Sequence, residues 1–565
     1  MNESTASEIP ASHHLLQAGA TAVLAATLSS CGSGGGGDVP AVPAALTIST
    51  VSIAPAGGGA VTVNGVTRAT GGVTFSFDGG TAATSRPADP GVGGAPMTSQ
   101  FDASGTTGTA SLSVTINPSV ETALTAAPAA LKVVARGIAA VGFAPSASDL
   151  MRHAGLTQVQ ITDAMVARLR ETPAEAYPAW IDDPVMTQPF ATFSPLRTEL
   201  QNWMLRQLIT SPDPLAERLV LFWHNLFTTE VNNSQIIVPM ARQHRTWRKN
   251  MVGNLGTFLK AMSRDPAMVI YLNSNQNKKG RPNENFAREL LELFTLGENT
   301  EYGAYEETDI PVVARCFTGY SFNAQGAAVF NTRDHDFGPA SSLGDKFLWG
   351  ESLPNTADDG DVVIDRILAR KVLVHDALHS ACGRYIVTRL WKEFIGDLLP
   401  GDLEVILALG DEFAAADGMN YELKPLYTAL FRTAAFTDPA RQGTRIRSPL
   451  EVLTGYFRAL QITPTDATLG TIRSNAADLG QDLFNPETVF GAAGGTEWIN
   501  VKTLVSRNAY LAALAEAYKT KVPASLVTVM DTLLLVLPPL VAPTESVDAG
   551  ARAKQLVTDT AYHLR

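Results

Sequence analysis

Three polar side chains in one short stretch, "RPNENFARELLELFTLG" at 281–297, have types and spacing suited to chemistry: Asn285, Glu289 and Glu292. At 100° per residue from Glu284 they project within a narrow arc of a helix. Two carboxylates three residues apart can chelate one cation or divide acid and base roles. Glu pairs on facing helices also build di-metal sites, but those add a Glu-x-x-His partner, which this part of the chain lacks. The same face has a plain reading. Phe286, Ala287, Leu290, Leu291, Leu293 and Phe294 fill one half of the helix, leaving Glu284, Asn285, Arg288, Glu289, Glu292 and Thr295 on a wet half. Asn283 is placed as the N-cap, and Glu284–Arg288 and Arg288–Glu292 pairs at four-residue spacing stabilise such a face by ~0.2–0.5 kcal/mol each.

Histidines supply the remaining candidates. His224 lies in "DPLAERLVLFWHNLFTTE" (213–230), an apolar stretch where a hydrogen-bonded core histidine competes with a ligand. His335 and Asp336 stand in "RDHDFG", a loop of the kind that displays catalytic and ligand groups. With the two glutamates, His224, His335 and Asp336 form a donor set for a divalent metal that keeps a position open for water. Glu289 or Glu292 is then the general base, with Asn285 beside them. The chain has no Gly-x-Ser-x-Gly elbow, no Gly-x-x-x-x-Gly-Lys loop and no His-Glu-x-x-His. "DDGD" at 358–361 lacks the alternating ligands of a calcium loop and reads as a solvated helix start. Among aromatic residues, Trp223 and Trp391 read as core, while Trp498, Tyr302 and Tyr305 are candidates to line a sugar-binding cleft.

The elements that must position these groups are mainly helical. From about Ala129, apolar residues recur every three or four positions. The 213–230 stretch reads as a buried central helix, with Asp213 as N-cap and Pro214 as first helical residue. Further helices are expected at 309–319, 361–370, 383–396, 402–416, 422–435, 448–460 and 500–518. The apolar run "VTVMDTLLLVLPPLVA" is interrupted by Asp531 and Pro538-Pro539, so it reads as core rather than membrane span. Ahead of the helices, "LTISTVSIAP", "AVTVNGVT", "GVTFSFDGG" and "ASLSVTINP" alternate apolar residues with Thr and Ser. They predict a small β-sandwich-like, immunoglobulin-like module at 46–118.

The N-terminus points to export. An apolar run from Leu15 closes on Leu28-Ser29-Ser30-Cys31, followed by a glycine tether. Such a segment is a secretory signal, and its ending resembles a bacterial lipobox in which Cys31 becomes lipidated; an ordinary signal peptide is the alternative. The chain therefore divides into a leader at 1–31, a flexible linker at 32–45, the β-module at 46–118, a second linker at 119–134 and a helical domain at 135–565. At 565 residues two or more domains are expected. A net charge of −12, with no basic run beyond Arg242–Lys249, excludes a nucleic-acid partner. Three cysteines, Cys31, Cys316 and Cys382, form no disulfide framework and no zinc pair, and pairing of the last two is left open.

Several blocks then resemble one bacterial family, the domain of unknown function 1800 (DUF1800). They are "LVLFWHNLFTTE", "DPAMVIYLNSNQNKKGRPNENFARELLELFTLG", "VVARCFTGYSFN", "HDFG" with "KFLWG", "CGRYIVTRLWKEFI", "RSPLEVLTGYFRAL" and "LGQDLFNPETVFGAAGGTEWIN". They run in order over 135–520. The resemblance implies a secreted or envelope-associated, largely helical protein without an established activity. Two function classes follow. One is an exported enzyme, a metal-assisted hydrolase acting on glycan or another polymer. The other is a non-catalytic surface module that binds or assembles with a protein or glycan partner. In both, the protein sits in the periplasm, outer membrane or cell surface, held to the membrane through Cys31.

Overall fold

The computed structural model describes residues 128–565, apart from 183–189, 232–236, 299–302, 339–344 and 542–547, together with eight strands between Ile9 and Ile116. The chain forms two compact units, Met1–Pro128 and Ala129–Arg565. In the first, Leu46–Ile53, Ala60–Thr67, Val73–Phe77 and Ala110–Ile116 coincide with the four alternating runs of the sequence. They join two antiparallel four-stranded sheets. One runs Ile9–Ala11, Ala110–Ile116, Val73–Phe77, Ala83–Ser85; the other runs Ala26–Thr27, Leu46–Ile53, Ala60–Thr67, Ala95–Asp102. A register shift between Ile48 and Thr50 breaks the second ladder once. Cys31 lies outside the described residues.

The second unit is mainly helical. Its centre is the helix Pro214–Leu226, on which Leu219, Val220, Trp223 and Leu226 are removed from water. Proline opens it as expected, because its missing N–H has no intrahelical partner in any case. Asp213 holds the N-cap position without bonding the helix backbone; its carboxylate instead pairs with Arg168 at 2.7 Å. Trp223 packs against Phe222, Phe227 and Phe258 and donates to the Tyr427 hydroxyl at 2.9 Å. Tyr427 in turn donates to the Met251 carbonyl, so the indole N–H is satisfied through a buried relay. The same helix buries two charges, each met on the spot. Arg218 reaches Glu451 at 2.6 Å and Glu393 at 2.7 Å, and Glu217 takes Arg248 at 2.5 Å.

Around this centre the expected helices form with shifts of a few residues at their ends: Asp309–Cys316, Asp359–Ala369, Ala381–Phe394, Asp402–Ala414, Leu423–Phe431, Pro449–Ala459 and Val501–Tyr518. Trp391 joins Trp223 in the core, and so do Trp498 and Tyr305, which removes those two as cleft-lining residues. Tyr302 lies outside the described residues. The C-terminal apolar run becomes the short helix Met530–Leu534, with Met530, Leu533 and Leu534 buried. Among the described residues no helix is long and apolar enough to cross a membrane. Cys316 and Cys382 are both free and buried.

The helices Ala381–Phe394 and Asp402–Ala414 meet at paired glycines, where a Cβ on Gly383 would overlap the carbonyl of Gly410. Gly470, in the helix Asp466–Asp478, has no neighbour within 4 Å of its Cβ position. Gly383→Ala is therefore expected to cost ~1–3 kcal/mol by overpacking. Gly470→Ala should gain ~0.5–1 kcal/mol by restricting the unfolded chain. Urea unfolding of both variants checks the opposite signs; a neutral Gly383→Ala contradicts the close approach.

Candidate functional site

The 283–297 segment begins as the helix Asn285–Glu289 and continues as a π-helix over Leu290–Thr295. An asparagine staple sets its start. The Asn277 side chain accepts from the Asn283 N–H at 2.9 Å and donates to the Ala314 carbonyl at 2.8 Å, and Asn283 accepts from the Asn285 N–H at 3.0 Å. Asn283 thus caps one position earlier than expected, with Glu284 formally at the N-cap. The wider π turn is closed by the Leu296 N–H to the Leu291 carbonyl, and Thr295 turns its hydroxyl onto the Leu290 carbonyl. Thr295 is consequently buried, not on the wet half: the extra residue per turn rotates it away from its place on a regular 100° wheel. Tyr385 donates to the Leu293 carbonyl at 2.6 Å and Arg384 to that of Leu296 at 3.3 Å, so a neighbouring helix takes up the carbonyls at this end.

Phe286, Ala287, Leu290, Leu291, Leu293 and Phe294 are all buried, as the pattern requires. On the other face Arg288 pairs with Glu292 at 3.3 Å, Glu284 at 3.6 Å and Glu307 at 2.6 Å. Asn285 is exposed. Glu289 differs from this ladder. It is half-buried, and burial together with the nearby Glu292 carboxylate pushes its carboxyl up to about 7 against the pull of Arg288. Burial, then the Glu230 and Glu289 carboxylates, push the Tyr271 phenol up to about 12. Tyr271 therefore lies within reach of both the Glu289 and the Glu230 carboxylates. Sequence reading missed Glu230 and Tyr271, although each stands in a block of the resemblance, at the ends of "LVLFWHNLFTTE" and "DPAMVIY".

His224 is a core histidine. Its Nε2 faces the Thr229 carbonyl at 3.1 Å, its ring stacks on Trp247 at 4.5 Å, and burial lowers it to about 4. It serves the site indirectly. Thr229, next to Glu230, bonds Gln243 at 2.6 Å, and Gln243 bonds Asp265 at 2.8 Å. Asp265 caps the helix Pro266–Tyr271 that carries Tyr271. A buried polar chain thus fixes both newcomers.

His335 and Asp336 do not display themselves to solvent; both are buried. His335 Nδ1 faces the Thr318 carbonyl at 2.8 Å and Nε2 the Thr356 carbonyl at 3.0 Å. Asp336 accepts from Arg315 at 2.7 Å and from the Gly338 N–H at 3.0 Å. The Lys346 ammonium, fully buried, bonds the Asp336 carbonyl at 2.6 Å and forms an ion pair with Asp359. Burial raises Asp359, but hydrogen bonds from His335 and Lys346 outweigh it and hold the carboxyl below its usual range. The "DDGD" segment is thus corrected as well: Asp359 is an interior anion beside the buried Gly360, and Asp358 faces solvent.

The expected metal set is not assembled. His224, His335 and Asp336 each have their own partners, and among the described residues no group of three His, Cys, Asp or Glu side chains is arranged to hold a metal ion. The reason is local. Both nitrogens of His335 point at carbonyl oxygens, and the Asp336 carboxylate is held by a guanidinium on one oxygen and a backbone N–H on the other, so each is directed at partners of its own. What remains together is Glu289 and Glu292 on the helix, with the Tyr271 phenol near Glu289 and Glu230 near that phenol.

Residues 125–562 match DUF1800, a family described as proteins of unknown function, and the chain belongs to that family. No curated protein and no solved structure shows significant similarity to it.

Two outcomes follow. Lys346→Met strands Asp359 in the interior and should cost ~3–5 kcal/mol, with the Lys346→Met/Asp359→Asn pair costing less than the single change. Chemical denaturation checks the order. For Glu289, a carboxyl near 7 in the native state and near 4.5 in the unfolded chain keeps its proton longer when folded. The stability it contributes is complete below pH 4.5 and is lost as pH rises through 7. Glu289→Gln should therefore be more stable than the parent at pH 8 and indistinguishable from it at pH 4; equal stability at both values contradicts the raised carboxyl.

Proposed function

We propose that this DUF1800 member is an exported hydrolase of the cell envelope whose helical body uses Glu289 and Glu292 as an acid–base pair on a glycan or other polymer. The observation that carries this reading is the half-buried Glu289 carboxyl, held near neutrality beside a second carboxylate that is hydrogen-bonded to Arg288. Pairs of carboxyls in unlike surroundings divide acid and base work. Glu289, protonated, gives its proton to the leaving oxygen as the bond to carbon breaks. Water attacks that carbon, and its proton passes to Glu292. The Tyr271 phenol lies near the Glu289 carboxyl and near that of Glu230. The π turn that follows Glu289 supports the reading, since such bulges recur at functional sites.

The leader, the lipidated Cys31, the tether at 32–45 and the β-module at 46–118 complete the proposal: the module spaces the helical body from a membrane anchor. A second reading, a docking surface for a protein or glycan, is favoured by the exposed side of the same helix, where Asn285 and the Glu284–Arg288–Glu307 pairs face solvent.

Two experiments test the proposal. Full-length protein incubated with envelope polysaccharide should release new reducing ends, and Glu289→Gln should lower that rate by ~100-fold or more, with Arg288→Lys affected less. The rate should fall as pH rises above about 7, where the acid is lost. Polymer bound equally by parent and Glu289→Gln, without cleavage by either, supports the docking reading instead. For the anchor, Cys31→Ser should move the protein from the detergent phase to the aqueous phase; unchanged partitioning contradicts lipidation.

A further inference from the structure

A second charged feature lies away from Glu289. Between the helices Pro128–Val141 and Ala381–Phe394 and the turn Pro439–Arg441 is a cavity of about 30 Å³, room for about two water molecules. Four arginines line it, Arg136, Arg441, Arg445 and Arg565, with one acidic residue, Asp438. In a protein of net charge −12 this is an inverted environment.

The arginines are not all neutralised in place. Arg441 is matched by Asp402 at 2.7 and 2.9 Å. Arg565 and Arg218 share two carboxylates, Glu451 and Glu393. Arg136 donates to the Val536 carbonyl at 3.1 Å, and Arg445 donates to the carbonyls of Glu393 and Ala140. Carbonyls satisfy hydrogen-bonding capacity but carry no compensating charge. Nε of Arg565 is buried without a hydrogen-bond partner among the described residues, and Nε of Arg441 has the Asp438 carboxylate at 4.0 Å. Burial and the neighbouring Arg218 lower Arg445 to about 10, against the pull of Glu393 and Glu451. An unpaired interior charge of this kind is costly unless an ion of opposite sign accompanies it.

We propose that this cavity is a binding site for a small oxyanion, a phosphate- or sulfate-sized group held between Arg136, Arg445, Arg441 and Arg565. Guanidinium forks match such oxygens in geometry as well as charge. Arg136, half-buried, and Asp438, whose side chain is 42% exposed, stand nearest to water. The site is independent of the acid–base reading of Glu289.

Titration of the full-length protein with inorganic phosphate and with sulfate, at ionic strength held constant with chloride, tests it by calorimetry and by thermal melting. The expected result is saturable binding with a dissociation constant below about 1 mM and a rise in Tm that chloride does not give. Arg445→Gln should abolish the effect, but this side chain also ties two carbonyls and its loss can disturb folding. Arg136→Gln keeps the fold, as circular dichroism would show, and should weaken binding about tenfold or more. Glu289→Gln should bind as the parent does. Stabilisation by chloride equal to that by phosphate overturns the proposal, as does a folded Arg136→Gln that binds phosphate with parental affinity. Absence of saturable binding by either oxyanion also overturns it.

Discussion

A lysine ammonium sealed from water must be neutralised where it lies, and Lys346 is neutralised by Asp359 and by the Asp336 carbonyl. That single requirement organises one flank of the helical body. Asp359 opens the helix Asp359–Ala369, His335 bridges Thr318 to Thr356, and Asp336 draws in Arg315 from the helix Asp309–Cys316. Residues far apart in the chain are locked into one dry cluster. Any partner removed leaves a charge in a medium that cannot solvate it, so the cluster acts as a unit. It also holds two side chains whose types suggest chemistry: His335 and Asp336 are buried and directed at partners within the cluster.

With that flank fixed, Phe317 packs on Phe286, and Asn277 ties the asparagine-rich loop to the Ala314 carbonyl. These contacts hold the start of the 285–295 helix, while Tyr385 and Arg384 hold its end. The helix accommodates both anchors by widening into a π turn. Glu289 sits at the junction, turned partly inward, while Arg288 remains outside among Glu284, Glu292 and Glu307. A carboxyl poised near neutrality is then a consequence of position: its natural salt-bridge partner is engaged elsewhere, and burial does the rest.

Much of this was legible in the sequence. The helix Pro214–Leu226 could be read from its continuous apolar surface and its Asp-Pro start, and later helices from their three- and four-residue periodicity. The apolar half of the 285–295 helix and the Arg288 pairs were equally plain. What could not be read depends on distance along the chain or on subtle backbone geometry. A π turn leaves no spacing signature, so a regular 100° wheel places Thr295 on the wrong face. Asp213 was expected to cap its helix, but Arg168 competes for it. His335, Asp336 and Asp359 look alike in sequence whether they face water or a buried lysine; only the approach of Lys346 distinguishes the two. Glu230 and Tyr271 gave no signal because neither shares a helix face with Glu289.

The proposed acid–base chemistry depends on the charge state of one carboxyl. Infrared difference spectroscopy of the full-length protein across a pH titration, with Glu289→Gln subtracted to assign the band, observes that group directly. The account predicts a protonated carboxyl signal, absent from the variant, that disappears with a midpoint near pH 7. A Glu289 signal that disappears near pH 4.5, the ordinary value for a solvated glutamate, would contradict it.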